Sequence, residues 1–279
     1  MSVMMKKMPS FTSDSLSNED LPPTHKTRLG RAIAPVSADH PGLCGLLPLD
    51  DSLDAFACRY RLAEMAEKTL DVQYYIWEDD MSGRLLFSVL LSAATRGVRV
   101  RLLLDDNNTQ GLDAILRLLD SHQNIDVRLF NPFSFRTLRS LGYLTDFARL
   151  NRRMHNKSFT VDREVTIIGG RNVGDAYFGA GDAPLFSDLD VMAVGPVVAD
   201  VSDDFERYWD SACVSTLKQV LELSEAEIEA RIQPPDEWYQ NEITQRYLNK
   251  LESSQFITQL EARDLPLIWA KTRLLSDDP

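Results

Sequence analysis

The sequence predicts an α/β fold, a β-sheet with helices packed on its faces. Between residues 51 and 130, helix-period and strand-period segments alternate, and the order helix, strand, helix, strand, helix, strand belongs to that class. Apolar residues make up 44% of the chain and charged residues 26%, the balance of a soluble globular protein able to bury a core. The length of 279 residues suits one large α/β domain or two small ones.

Each element has its own signal. Residues 1 to 45 are rich in Ser, Pro and polar side chains and read as a flexible N-terminal arm, with a short docking piece near "TRLGRAIAP". Order is expected from about Asp51. Ser52 is the predicted cap of a helix whose Leu53, Phe56, Ala57 and Tyr60 fall on one face. "LDVQYYIW" alternates Leu70, Val72, Tyr74 and Ile76 in strand period. Ser82 is the predicted cap of the next helix, and Gly97 its stop. "VRVRLLLDD" is a strand ending in paired aspartates; a helix over 112–120 and the strand "IDVRLF" follow.

"NPFSFRTLRSLGYLTDFARLNRR" is irregular and locally basic, setting Arg136, Arg139, Arg149, Arg152 and Arg153 against Asp146. A charge run is ordinarily a solvated face; this one leads into His155, which gives a phosphate-attracting role equal weight. "GDAYFGAGDAPLF" reads as a loop and "SDLDVMAVG" as a strand. "PVVADVSDDFERYWDS" reads as a helix with Pro196 near its start. From about residue 214 the chain is helical, acidic and polar, until "LIWAKTRLL" reads as a further strand. No segment repeats.

Bulk properties narrow the function. A net charge of −12 disfavours a sequence-independent nucleic acid partner, since such binders usually carry a basic surface. Cys44, Cys58 and Cys213 lack CxxC spacing and read as free thiols in a reducing compartment. His25, His40, His122 and His155 lack metal-ligand spacing, so neither metal nor cofactor is expected. The N-terminus turns polar before any apolar core develops, unlike a secretory signal. The apolar run in "RLLFSVLLSAATRG" is roughly ten residues, against the ~20 of a spanning helix. A membrane, if met, is met from the side.

The chemistry concentrates in "HNKSFTVDREVTIIGGRN", residues 155 to 172. It reads as a hairpin: "HNKSFTV" out, "DRE" as the turn, "VTII" back. His155 and Lys157, two apart on a strand, leave the same face, and Phe159 and Val161 continue that face into the core. An imidazole serves as nucleophile or acid–base near neutral pH, and an adjacent ammonium stabilises an anionic transition state. Gly169 and Gly170 let backbone approach a ligand, and Asn172 offers an amide donor. Together these suit attack on a phosphodiester. Singly, each residue has a bland explanation: most histidines are merely satisfied, and Asp162 at a hairpin tip is a turn former. A chance match at all six positions is on the order of one in a hundred thousand.

H-x-K-x4-D-x6-G-G-x-N resembles the HKD motif of the phospholipase D superfamily, matched by His155, Lys157, Asp162, Gly169, Gly170 and Asn172. "LDVQYYIWEDD", "VRVRLLLDDNNT", "FNPF", "RRMHNKSFTVD" and "SDLDVMAVGPVV…FERYWDS" extend the likeness to the N-terminal half of a bacterial cardiolipin synthase of the C-type class. The resemblance covers residues 45 to 279. It implies a mixed β-sheet flanked by helices, one of the two usual halves. A phospholipase D-like domain would span 46–212, and 213–279 would be a helical connector and the start of a second half. It also implies a metal-free mechanism through a phosphohistidine. His155 would be nucleophile or acid–base partner, with Lys157 and Asn172 on the phosphate oxygens. Gly169, Gly170 and Arg153 would line the phosphate site. Asp162 completes the motif, more structural than proton-carrying. Asp188, or failing it Asp190, would orient the histidine.

The family site needs two such motifs, and no other histidine here begins an HxK. Three arrangements are open: an inactive half-enzyme or fragment, a homodimer in which each copy donates its motif, or completion by a separate polypeptide. The acidic tail after residue 214 favours the first and third. The resemblance implies phospholipid substrates, phosphatidylglycerol and phosphatidylethanolamine among them. It also implies a cytoplasmic location peripheral to the inner membrane. A dimeric phosphodiesterase or nuclease, and a catalytically inactive half-domain, are the competing functions; salt-sensitive DNA binding or His155-independent behaviour would mark them.

Overall fold

The structure is a computed structural model that describes residues 24–133, 152–180, 185–221, 239, 242–262 and 264–279. Helix α1 (Arg28–Ala38) leads to strand β1 (Cys44–Leu49) and helix α2 (Ser52–Met65). Then come β2 (Thr69–Tyr74), α3 (Met81–Thr95), β3 (Arg99–Asp105), α4 (Asp113–Asp120) and β4 (Ile125–Phe130). The hairpin β5 (Ser158–Val161) and β6 (Val165–Gly169) is followed by the single turn α5 (Asp175–Phe178), β7 (Asp190–Val194) and α6 (Val197–Trp209). Last are β8 (Val214–Thr216), α7 (Leu217–Val220), α8 (Glu242–Glu252), α9 (Gln255–Ala262) and β9 (Ile268–Ala270).

These strands form one mixed sheet in the order β8-β4-β3-β2-β5-β6-β7-β1-β9. The β2/β3 and β3/β4 pairs are parallel and the others antiparallel. Every residue of β2 is buried, because helices cover both faces of the centre. Alternation assigns the faces: Val100, Leu102 and Leu104 join α2 and α3 in the main core, whereas Leu103 joins Phe130, Met154 and the α6 residues Phe205, Tyr208 and Trp209. The α6 face is laced with charge. Arg101 donates through Nε to Asp71 (2.7 Å) and bidentately to Glu206 (2.7 Å each), with its guanidinium over Phe205. Losing both carboxylates would leave a buried cation uncompensated.

The helix starts differ from the expected ones by one or two residues. Asp51, not Ser52, caps α2, accepting from the Asp54 N–H (2.9 Å); Asp80, not Ser82, caps α3, accepting from Gly83 (2.9 Å). Both serines are already helical, so the aspartate on the extended residue before each helix takes the cap. Gly97 ends α3 at φ +95, as its composition predicts.

Ordered elements begin well before Asp51. Helix α1 lies wholly within the expected arm, and strand β1 begins at its end. Leu29 is in the main core, and Thr24 Oγ1 donates to Glu164 (3.0 Å). The expected boundary at 212/213 also cuts through the sheet, since the later segment supplies both edge strands, β8 beside β4 and β9 beside β1. Its α8 and α9 pack their Tyr247, Leu251, Phe256 and Ile257 into the main core. Composition missed this because the segment is polar outside a narrow apolar stripe. Of the basic run, Arg136, Arg139 and Arg149 lie outside the described residues.

Candidate active site

The motif gathers at the carboxyl ends of the parallel strands, the end at which open α/β sheets bind ligands. The last residue of β3, Asp105, is fully buried and takes the Met154 N–H on Oδ2 (2.9 Å) and the Arg153 guanidinium on Oδ1 (3.0 Å). Asn131, just past β4, donates through Nδ2 to the Arg152 carbonyl (2.7 Å). The ends of two parallel strands therefore pin residues 152–154, and His155 is the next residue.

His155 and Lys157 precede β5 rather than lying within it; the ladder with β2 starts at Gln73–Ser158. Both still point the same way. The Lys157 Nζ stands 3.4 Å from His155 Nδ1 and donates to the His155 carbonyl (2.7 Å). The Tyr75 ring backs both, its centroid 4.9 Å from the imidazole and 5.6 Å from the ammonium. His155 is exposed and Lys157 buried. Desolvation, then the Lys157 charge, pushes the His155 pKa below its usual value, favouring the neutral imidazole. Desolvation also lowers the Lys157 pKa, opposed by the charges of Asp188 and Asp190.

An ammonium at Nδ1 favours the neutral tautomer with its proton on Nε2; giving a proton to a leaving alcohol requires the imidazolium instead. Attack through Nε2 needs the proton on Nδ1, with an acceptor to hold it. Among the described residues no carboxylate hydrogen-bonds His155, so the arrangement expected for Asp188 or Asp190 is not formed. Asp188 is half-buried beside Gly170, and its charge acts on Lys157. Asp190 is fully buried and structural: it takes Arg59 (2.8 Å) and the Arg171 N–H (3.1 Å).

The glycines answer to that same pair. A Cβ on Gly169 would lie 2.1 Å from Asp190 Oδ1 and 2.5 Å from its Cα; one on Gly170 would lie 2.2 Å from Asp188 Oδ1. The close approach that requires glycine is therefore to the start of β7, where a ligand was expected. Asn172 takes the Ile76 N–H on Oδ1 (3.0 Å) and gives one amide N–H to Tyr177 Oη (3.1 Å). Its second amide N–H has no partner among the described residues. Arg153, expected on phosphate, is paired with Asp105 and lies over the Phe133 ring (5.0 Å).

Asp162 sits at the far end of β5. Its carboxylate takes the N–H groups of Glu67 (3.1 Å), Lys68 (2.7 Å) and Thr69 (3.0 Å). With Arg163 it forms a turn with both residues at positive φ, 50 and 53. That left-handed geometry costs about 1 kcal/mol for a non-glycine residue, and the three hydrogen bonds offset it.

Sequence reasoning assigned no role to Tyr75, Asp105, Asn131 or Tyr177. The available signal was position, because Tyr75, Asp105 and Asn131 each end or directly follow a parallel strand.

A model of the phospholipase D-like domain of cardiolipin synthase matches residues 60–209, the stretch that contains the motif. Cardiolipin synthase C of Escherichia coli K12 is 72% identical over 252 residues, covering 90% of this chain and 53% of that protein. Cardiolipin synthase A of Pseudomonas syringae pv. syringae is 34% identical over 158 residues, 56% of this chain and 31% of that one. Among solved structures, phosphatidylserine synthase of Haemophilus influenzae Rd KW20 superposes with a TM-score of 0.49 at 14% identity, covering 84% of this chain and 48% of that one. NucT from Helicobacter pylori gives 0.45 at 14%, covering 60% and 96%. The chain spans about half the length of the E. coli relative and less of the Pseudomonas one.

Proposed function

The chain belongs to the family of cardiolipin synthase, phospholipase D-like domains, and on that premise we propose that it supplies one half of a phosphatidyl-transfer site for cardiolipin synthesis. The observation that carries this reading is the His155–Lys157 pair, a largely neutral imidazole with a fixed cation beside it. One motif histidine attacks phosphorus, a phosphorus–nitrogen bond forms and the phosphorus–oxygen bond to the leaving alcohol breaks. The other motif's histidine gives that alcohol its proton. A second alcohol then attacks the phosphohistidine, surrendering its proton to the same base and restoring the free imidazole. Lys157 and the spare Asn172 amide N–H hold the phosphate oxygens as charge builds.

The chain offers one motif histidine, and one histidine cannot both attack phosphorus and protonate the leaving alcohol; this supports a second motif from another polypeptide or another copy. A lipid substrate is supported by an apolar ledge at the site. Leu185 (57% exposed), Phe186 (53%) and Leu189 (53%) protrude from the segment that carries Asp188. Phe186 is anchored, its N–H to the Ala176 carbonyl (2.8 Å) and its ring 5.1 Å from Tyr177, the partner of Asn172. Acyl chains attached to the reacting phosphate would find their apolar surface there. Among the described residues no helix is long and apolar enough to cross a membrane, and we place the protein at the cytoplasmic side of the inner membrane as a peripheral protein.

The test is cardiolipin formation from vesicles of phosphatidylglycerol and phosphatidylethanolamine, read by mass spectrometry, with His155→Ala alongside. Product from the wild type and none from the variant supports transfer at a site assembled from copies of this chain. Failure of both, followed by product once a polypeptide with a second motif is added, supports the half-site. Transfer that survives His155→Ala removes the reading.

A further inference from the structure

A cavity of about 590 Å³ opens at the other end of the sheet from His155, between the start of α1, the end of α2 and the amino ends of β2 and β3. Five cations, Lys26, Arg28, Arg31, Lys68 and Arg96, face it against one carboxylate, Glu67. In a chain of net charge −12 that local excess is a departure from the whole. The six residues of β2 separate this cavity from the catalytic end by ~20 Å.

Its walls are fixed. Arg96 donates to the carbonyls of Ala63 (2.9 Å) and Glu64 (3.0 Å) at the end of α2. Arg31 donates to the Lys26 carbonyl. Asp162 holds the N–H groups of Glu67, Lys68 and Thr69 from beneath. The Lys26 and Lys68 ammonium groups, by contrast, are exposed and have no hydrogen bond or ion pair among the described residues.

The cavity already receives one anion of the protein's own. The Glu67 carboxylate accepts from the Arg28 backbone N–H (2.7 Å) and Nε (3.3 Å), and these contacts hold its pKa below the usual carboxylate range. It lies at the start of an 11-residue helix, where the dipole favours negative charge. One carboxylate does not neutralise five cations, and their mutual repulsion is relieved by a further anion. Guanidinium forks beside point-like ammonium groups match a phosphate, and the volume is that of a small-ligand site rather than of an extended polymer track.

We propose that this cavity is a second, non-catalytic phosphate site, taking the phosphate of an anionic phospholipid headgroup or of free phosphate. The proposal stands apart from the reaction at His155.

Two arms identify the source. The purified chain is titrated with inorganic phosphate by calorimetry. It is also floated with vesicles of phosphatidylcholine alone and with phosphatidylglycerol mixed in. Lys26→Gln/Lys68→Gln and His155→Ala are run beside the wild type. The expected result is flotation only with the anionic vesicles, unchanged in His155→Ala. The double variant should fall on the order of thirtyfold, about fivefold for each basic residue near an anionic surface. Saturable calorimetric binding of phosphate, lost in the double variant, without flotation, assigns the site to free phosphate. Equal thermal unfolding midpoints confirm that the variants are folded, as two exposed lysines allow. The proposal is overturned if neither probe binds, if the double variant binds as the wild type does, or if His155→Ala loses binding as well.

Discussion

The two ends of strand β5 carry the same short motif and do different things with it. At one end His155 is exposed, its ring against Tyr75, with a cation at 3.4 Å and a lowered pKa. At the other, ~23 Å along the extended chain, Asp162 is fully buried and spends its carboxylate on three backbone N–H groups. One end stays open to a ligand; the other is closed on the protein's own backbone. A fixed sequence spacing therefore records a strand length and a turn as much as a set of reacting groups. The strand must be short enough to be held rigidly at one end and to present the histidine at the other.

The largest effects that would break this division come from single substitutions at each end. In the assembly that forms cardiolipin, His155→Ala is expected to lower turnover on the order of 10⁴-fold or more and to leave the thermal midpoint of the chain where it was. Asp162→Ala should do the reverse. Three backbone donors lose a buried anion, at a cost of about 3–5 kcal/mol, or about 10 °C in the midpoint for a chain of this size. Its activity, measured well below the midpoint, should follow the folded fraction. An Asp162→Ala protein that melts like the wild type but turns over no substrate would place Asp162 in the chemistry and erase the distinction.

The open end was legible in sequence because residue type there is dictated by chemistry: His155 and Lys157 stand side by side, and Asp162 is closed off as a turn residue would be. The central strands and helices were equally legible, their periods being set by burial. What sequence could not give was the partner of each group. Arg153 read as a phosphate ligand from its neighbours, but a buried Asp105 nearly fifty residues away claims it. Ser52 and Ser82 read as caps because capping serines are common, and only the backbone angles show that an aspartate comes first. The extent to which the arm and tail join the sheet was not legible for a related reason. Strands β1 and β8 pair non-locally and no local period announces them; β9 was announced by "LIWAKTRLL", but its place beside β1 was not.

The adjacent glycines sharpen the comparison on a smaller scale. Gly169→Ala drives a methyl group into the Asp190 backbone, which cannot yield, so a loss of about 1–3 kcal/mol is expected by denaturant unfolding. Gly170→Ala meets only the Asp188 carboxylate, the far end of a side chain. That carboxylate can swing aside with a smaller loss of stability, and its charge then leaves Lys157. Proton NMR should find the Lys157 pKa lower still in Gly170→Ala, since Asp188 now raises it. Equal stability losses in the two variants, with no change at Lys157, would mean that Asp188 does not tune the site.

The smallest effect is a titration. Burial and the Lys157 charge both hold the His155 pKa below its ordinary 6.5, burial being the larger cause. As pH falls below 6.5, the unfolded chain takes up a proton at this position before the folded chain does. The group's contribution therefore weakens the fold from 6.5 down to the folded pKa and stays constant below it. The exposure of His155 makes that change in stability slight, and the useful readout is the imidazole itself. Followed by its ring protons, His155 should titrate below 6.5 in the wild type. In Lys157→Met it should move back up, but not fully to 6.5, because burial remains. If removing the ammonium leaves the titration where it was, the two side chains do not share a field. Lys157 would then act on the substrate phosphate alone, and the open end of the strand would hold two independent groups instead of a coupled pair.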